Sequence, residues 1–517
     1  MSEDLDVLIV GAGPAGSTLA VDLARRGVNT RIIDKSPHGF PGSRAKGIQP
    51  RSLEVFEDLG ALDDILAAGS PYPPLGIHLG PVRIPKRMFK PAPESDATPY
   101  RETWLIPQFS TDAVIQKQLA PLGVQVEYGT ELLGLEQDDN GVTARIAGPS
   151  GPEELRARYV VGADGGASLV RKSVGIAFEG QTDEADRMII LDGRIEGLGR
   201  DHWHVWPGLG GRFAGACPLP HGDLFQVMIR LQPGEEPDLS DAALNERFRK
   251  QTRSGKLRLS DIQWKTVFRP NIRLAARYRE GRVFLAGDAA HVHTPMGAQG
   301  LNTGIQDAYN LGWKLGQVLA GAPEALLDSY EAERQPIAAR VLGLSTAKYE
   351  ALNRLDPASI KRGADEKQLG ISYKGGPLAG SGSVGTTKLR AGDRAPDATL
   401  AGQDGTPLRL FDVTRGPAFT LIAVGQDALA DLAAISWPDG GAALTRVAID
   451  GTAGDARALT DPQGSFRANF GIEGDTLILI RPDGYIGEIA AHDRVAAIDS
   501  FASLVAPFAA CPFPTFL

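Results

Sequence analysis

The chain has 517 residues, 42% of them hydrophobic and 23% charged, with a net charge of −9. That length exceeds one ordinary hydrophobic core, so roughly two or three domains are expected. The acidic balance without a basic run argues against nucleic acid as a partner, and no apolar stretch approaches the ~20 residues that cross a bilayer.

The first stretch, Asp6 to Val10 running into Gly11-Ala12-Gly13-Pro14-Ala15-Gly16, reads as a buried strand, a glycine turn and a helix start. Gly11 permits the turn, Gly13 leaves room for a diphosphate beside bare backbone, and Gly16 lets the helix lie close to the strand; the diphosphate meets the free N–H groups of the helix N-terminus. A second strand, Val28 to Ile33, ends at Asp34, about 20 residues beyond the glycines, where a carboxylate accepts from an adenosine ribose and repels a 2′-phosphate. The loop from Ser36 to Gly47 carries Arg44 and Lys46, readable either as solvated charges or as ligands of a diphosphate or nicotinamide. A helix is expected from Pro50 to Leu59.

From Pro71 to Tyr100 the chain is proline-studded and leaves the doubly wound pattern for another sheet. A helix from Ser110 to Leu119, capped by Ser110 or Thr111, is followed by strands at 124–128, 131–137 and 142–147, the last pair joined by an Asn-Gly hairpin. Arg158 to Arg171 repeats the first pattern: a buried strand, an acid at its carboxyl end, Asp164, then Gly165 and a helix carrying Ser168 and Arg171. From Met188 to Trp264 alternation returns, as expected of an antiparallel sheet that covers a substrate; its inward side would draw on His202, Trp203, His204, Trp206 and Phe213.

The third strand, Arg282 to Ala286, ends in Gly287-Asp288, followed by Pro295, Met296, Gly297, Ala298, Gln299, Gly300, Leu301 and Asn302 and a helix to Leu319. The positive end of that helix suits a group that becomes anionic on reduction, as the N1 and C2 carbonyl edge of a flavin does. Asp288, acceptor-only when ionised, suits ribityl hydroxyls. Periodicity fades from 346 to 390, where Gly375 to Ser383 has linker composition. New strands then follow at Leu408–Val413, Phe419–Val424 and Arg446–Ile449, with a hairpin from Leu477 to Ile486.

These motifs, in this order over about residues 5 to 345, resemble the single-component FAD-dependent aromatic hydroxylases. The tail resembles the thioredoxin-like domain of their phenol hydroxylase and polyketide hydroxylase branch, without its CxxC. The resemblance implies an α/β architecture: a Rossmann-like FAD-binding domain (1–75, 101–180, 270–345) interleaved with an antiparallel-sheet substrate domain (76–100, 181–269). A helical segment and linker (346–390) and a thioredoxin-like domain (391–517) follow. It implies noncovalent FAD contacted by Gly11, Gly13, Pro14, Ala15, Gly16, Asp34, Lys35, Arg44, Gln108, Asp164, Gly287, Asp288, Pro295, Gly297, Gly300, Leu301 and Asn302.

In such enzymes NADPH or NADH reduces the flavin, O2 adds at C4a, and the hydroperoxide hydroxylates a phenolic or polycyclic aromatic ring. No second GxGxxG unit is present, so the reductant is expected to bind transiently, and two-dinucleotide-domain monooxygenases are disfavoured. The acid or base is expected among His202, His204, Arg212 and Asp192. Baeyer–Villiger oxygen insertion, hydroxylation of a nonaromatic substrate and a noncatalytic FAD-binding role stay open beside this reading, as does a homodimer. The two cysteines, Cys217 and Cys511, form no disulfide framework, and the acidic N-terminus enters a strand at once; both features point to the cytoplasm.

Overall fold

In the computed structural model the described residues are 5–80, 82–88, 93–182, 186–293, 299–353, 364–380 and 388–505. The strand Leu5–Val10 lies at the centre of the first sheet, parallel to Thr30–Asp34 on one side and to Gly151–Gly162 on the other. Val126–Tyr128 and Val283–Leu285 extend the two wings, also in parallel. Parallel strands buried on both faces need continuous apolar runs, and Val7, Leu8, Ile9, Val160 and Val161 are fully buried. The order of the strands reverses between Leu5–Val10 and Gly151–Gly162, so the loops leaving their carboxyl ends diverge and open a crevice.

A second, seven-stranded sheet runs in the order Arg258–Phe268, Met188–Glu196, Leu224–Arg230, Phe213–Pro218, Trp203–Pro207, Leu75–Leu79, Val82–Lys86. All its neighbours are antiparallel except Trp203–Pro207 and Leu75–Leu79. The proline-studded excursion thus supplies its edge hairpin. One face packs on the helix Asp241–Thr252 through Ile189, Leu191, Trp206, Ala216, Val227, Leu244 and Phe248.

The C-terminal sheet is thioredoxin-like. Phe419–Val424, Leu444–Ile449 and Arg457–Thr460 run parallel, and Thr476–Ile480 and Ile486–Ala490 close it as an antiparallel hairpin around Gly484. The expected strand at Leu408–Val413 is instead a strand, Pro407–Arg409, and a helix, Leu410–Thr414; Asp412 accepts from the Arg409 N–H and so starts the helix there. The helix expected from Ser110 spans Gln108–Lys117 and is capped by neither Ser110 nor Thr111, because Pro107 ends the preceding extended segment. The linker-like glycines are pinned as far as Gly380, whose N–H donates to Gly487 O at 2.9 Å.

The C-terminal domain docks through an apolar core it shares with the first domain, where Trp313 meets Phe419, and through buried charge. Fully buried Glu333 bonds Arg481 at 2.6 and 2.9 Å and Lys314 at 2.8 Å, and Asp483 bonds Arg481 and the indole N–H of Trp313. Nearby, Arg394 pairs with Glu54, Arg409 with Glu57, and Arg51 donates to Asp483 O. Burial pulls the Lys314 ammonium down to about 8 against the opposing charge of Glu333. Removing one member of a buried pair strands the others. Glu333→Gln is therefore expected to lower stability by about 3–5 kcal/mol, read as a shifted urea-unfolding midpoint.

Candidate active site

Three motifs distant in sequence converge at the mouth of the crevice. Gly11 has φ +105°, and a Cβ there would lie 2.3 Å from Ala163 O. A Cβ on Gly16 would lie 1.9 Å from Gly11 O, while one on Gly13 would meet nothing within 4 Å. Gly11 and Gly16 are thus demanded by packing, and Gly13 leaves an open flank at the N-terminus of the helix Pro14–Ala24, which has Pro14 and Ala15 in its first turn. Gly287, at φ +60°, approaches the same turn: its Cβ would lie 3.0 Å from that of Ala15. Asp34 accepts from the N–H of Ala12 and of Ser36, both at 2.8 Å, and so braces the glycine turn. Lys35 is exposed.

Gln108 donates to Asp112 at 3.4 Å. Burial pushes the Asp112 carboxyl up to about 8, and the charge of Asp34 adds to it. Asp164 caps a short helix, accepting from the N–H groups of Leu169 and Val170 at 2.7 and 3.2 Å. Arg171 ties that turn to the third motif by donating to Gly166 O and Ala289 O. Arg44 reaches across the crevice to Asp288 at 3.5 Å, with both side chains partly exposed.

Gly300 and Leu301 open the helix Gly300–Leu319, and Asn302 in its first turn is buried. The Asn302 amide accepts from Gln49 N–H at 2.8 Å and donates to Gly47 O at 2.7 Å, clamping the end of the Arg44 loop. Pro295 and Gly297 lie outside the described residues. Beneath this helix start lies a buried cluster with no signature in the sequence. Asp307 accepts from Gly287 N–H at 3.2 Å, His291 Nε2–H at 2.5 Å and Arg334 Nε at 2.8 Å. Arg334 also donates to Thr303 O and Tyr373 Oη.

The covering sheet sorts the remaining candidates by strand parity, since alternate residues face opposite ways. Cys217, Gln226, Asp192 and Trp264 are opposite one another across four strands and share one face. The Arg44 loop lies along this row. A Cβ on Gly42 would press on Trp264, Ser43 donates from N and Oγ to Asp192 at 2.7 and 2.5 Å, and Lys46 donates to Gln226 Oε1. Trp203 belongs to the same side, with Lys46 Nζ 4.6 Å from its ring centroid. One pleat further along this face come Ile77, Val205, Gly215, Met228 and Ile190. They make an apolar floor on which Ile77, Val205 and Met228 are half-buried.

Three of the expected catalytic groups lie outside this row. His204 lies on the other, helix-covered face, bonded to His78 at 2.9 Å and to Gly199 O at 2.9 Å, and Trp206 stacks beside it. His202 is on that face too, against Asp201. Arg212 is exposed in the turn before Phe213. Asp192 does face the crevice side, but both its oxygens are engaged by Ser43. Lys46, far from being a solvated loop charge, is buried.

A dinucleotide cradle with no second copy of its glycine motif, roofed by a separate sheet whose inner face is apolar and aromatic, defines an oxidoreductase that works on a bulky organic substrate. Comparison with known proteins agrees. Residues 4–345 match the FAD binding domain family and residues 388–506 the aromatic-ring hydroxylase C-terminal family. The chain is 40% identical to a flavin-dependent monooxygenase of Mycobacteroides abscessus, over 95% of this chain and 98% of that one. It is 32% identical to pentachlorophenol 4-monooxygenase of Sphingobium chlorophenolicum, over 96% and 97% of the two chains. The structure of aklavinone-11 hydroxylase with FAD and aklavinone superposes with a TM-score of 0.82 at 28% identity, covering 98% of this chain and 99% of that one. The chain belongs to the FAD-dependent aromatic-ring hydroxylases. It is a monooxygenase that uses FAD and takes its electrons from NAD(P)H.

Among the described residues no cluster of side chains is arranged to hold a metal ion, and no helix is long and apolar enough to cross a membrane. For Asp307, burial alone would raise the pKa, but His291 and Arg334 outweigh it and hold the carboxyl down to about 2. A depressed carboxylate stabilises the fold above its unfolded pKa near 4 and loses that contribution as pH falls through the folded value. Asp307→Asn is expected to cost about 2 kcal/mol at pH 7, a deficit that is constant down to about pH 5 and narrows between about pH 4 and 2. Denaturant midpoints measured across that range check it.

Proposed function

We propose that this enzyme hydroxylates a phenolic, polycyclic aromatic compound seated on the floor of Ile77, Val205, Gly215 and Met228. The observation that carries the reading is this half-buried apolar face, flanked by Trp203 and Phe213 and crossed by the loop whose Arg44 meets Asp288. Relatives that act on large fused-ring or phenolic compounds support it: an anhydrotetracycline monooxygenase of Streptomyces rimosus and the pentachlorophenol enzyme.

In this reading FAD is held by Gly11, Gly13 and Gly16 at its diphosphate, by Asp34 at its adenosine ribose, and by Arg44, Gln108 and Asp288 along its length. The N-terminal turn of the Gly300–Leu319 helix faces its ring. The residues fit such a group: Gly13 offers a flank that a side chain would fill, and Arg44 and Asp288 offer opposite charges across an open crevice. Asp164 and Asn302 act one step removed, by shaping the turns that bear these contacts. Bound FAD supplies the acceptance of hydride from NAD(P)H and the activation of O2, one atom of which enters the substrate. The protein supplies a roofed, apolar chamber that keeps water out. A cytoplasmic location and assembly as a homodimer belong to the same proposal.

The test is NADPH and NADH consumption by the FAD-loaded protein with alizarin, anhydrotetracycline and 2-naphthol. Stimulated consumption with a product one oxygen heavier supports the reading; flavin that no ligand makes reducible overturns it in favour of a noncatalytic flavin-binding protein. Asp288→Ala removes a charged acceptor and is expected to weaken FAD binding about 10- to 100-fold, measured as flavin retained through gel filtration and by titration of the apoprotein. Full retention would remove Asp288 from the cofactor site.

A further inference from the structure

Lys46 carries a buried amine that the cofactor contacts do not use. Lys46 is only 8% exposed, and among the described residues no carboxylate forms an ion pair with it. An uncompensated buried ammonium is costly, so its environment is informative. Three features define that environment.

The first is a polarised chain of hydrogen bonds. Lys46 Nζ donates to Gln226 Oε1, Gln226 Nε2 donates to Ser43 Oγ at 2.7 Å, and Ser43 Oγ donates to Asp192 at 2.5 Å. The second is an aromatic wall, the Trp203 ring, so that among the described residues part of the three-donor head of Lys46 has no acceptor. The third is position. The Lys46 carbonyl accepts from Tyr72 Oη–H at 2.9 Å and from Ile106 N–H at 3.2 Å, and the next residue, Gly47, is held by Asn302 at the start of the Gly300–Leu319 helix. The head of Lys46 therefore stands on the inner face of the sheet, one pleat from the apolar floor and two residues from Arg44.

We propose that Lys46 is the catalytic residue that takes the proton from an aromatic hydroxyl of the substrate and then holds the resulting oxyanion, so that the preferred substrates are fused-ring aromatics with an ionisable hydroxyl conjugated to the carbon attacked. This rests on the reading of the floor as the substrate site. In the step, the substrate O–H bond breaks and an N–H bond forms on neutral Lys46, while the electron pair stays on oxygen and delocalises into the ring. Net charge in the pocket is unchanged. That electron-rich ring receives the oxygen atom supplied by the established activity. On rearomatisation the ring C–H proton leaves to water and Lys46 returns its proton to the original oxygen.

The surrounding groups are consistent with a lysine that changes charge. Burial lowers the Lys46 pKa from the ordinary lysine range, opposed by Cys217 and Asp192. Burial pushes Cys217 up to about 11, so it faces Lys46 as a neutral thiol. Asp192 is raised by burial, against its bonds to Ser43. Tyr72, Gln226 and Trp203 complete the enclosure, and Arg44 turns away to Asp288.

The experiment titrates oxidised, FAD-loaded protein, without NAD(P)H, between about pH 6 and 10. The probes are whichever of alizarin, anhydrotetracycline and 2-naphthol drive NADPH consumption, and absorbance reports the ionisation of the bound aromatic. The wild type is expected to lower the bound hydroxyl's apparent pKa by about one unit or more, a tenfold change in its ionisation constant. Lys46→Met should abolish that shift, and Lys46→Arg, which keeps a cation, should retain it. In turnover, Lys46→Met is expected to lose about 100-fold in kcat near pH 7 and to recover much of it near pH 10, where the substrate ionises unaided. Should Lys46→Met fail to retain FAD, Lys46→Gln carries the same comparison. An aromatic bound by the wild type without a pKa shift, or with the same shift in all variants, overturns the assignment. If no probe drives NADPH consumption, the failure belongs to the substrate reading itself.

Discussion

One carboxylate organises the centre of this enzyme. Asp307 receives the backbone N–H of Gly287, the imidazole of His291 and the guanidinium of Arg334, and so joins three separate stretches of chain at a fully buried point. Because both Asp307 and Arg334 are fully buried, neither can relax into solvent if the other moves. The Gly287–Asp288 turn, the strand after it and the start of the long helix are therefore held as one unit. The crevice is built against that unit, with the first helix packed on Gly287 through Ala15 and the Arg44 loop held through Asn302.

The loop between the second strand and the helix Pro50–Asp58 then links two chemistries. Its Arg44 looks toward Asp288 and the cofactor crevice, while Gly42, Ser43 and Lys46 lie along one row of the covering sheet. A short run of residues thus touches both sides of the chamber. Glycine at 42 is required because the Trp264 ring occupies the space a side chain would need. The loop's position on the sheet and the burial of Lys46 are two aspects of the same contact.

The cradle was legible in the sequence because its constraints are local. Gly16 and Asp34 satisfy demands set within one strand-turn-helix-strand unit, and Gly11, although pressed by distant Ala163, is marked by the spacing of the same unit. Asp288 was legible as the acid at a strand end, though its partner Arg44 was visible only as one of two loop charges. The face on which the histidines lie was not legible because the strand Trp203–Pro207 carries large side chains on both faces. Alternation there identifies two faces without saying which one the helix Asp241–Thr252 covers. Gln226 and Ser43 escaped notice, and Lys46 was visible only as a loop charge, because what makes them interesting is burial against strands far along the chain. Asp307 and Arg334 were hidden among the residues of two ordinary-looking helices.

The C-terminal domain grips the helix Pro50–Asp58 through Arg394 on Glu54 and Arg409 on Glu57, the long helix through Asp483 on Trp313, and the helix Asp328–Asn353 through Arg481 on Glu333. These partners are divided between segments on either side of the junction, so each half carries buried charges that the other helps to neutralise. Such a domain cannot be exchanged as a module between related enzymes unless its recipient brings matching acids. In recombination between family members, the crossover tolerated near residue 390 would be set by Glu54, Glu57 and Glu333, residues that precede it by far and take no part in the chemistry.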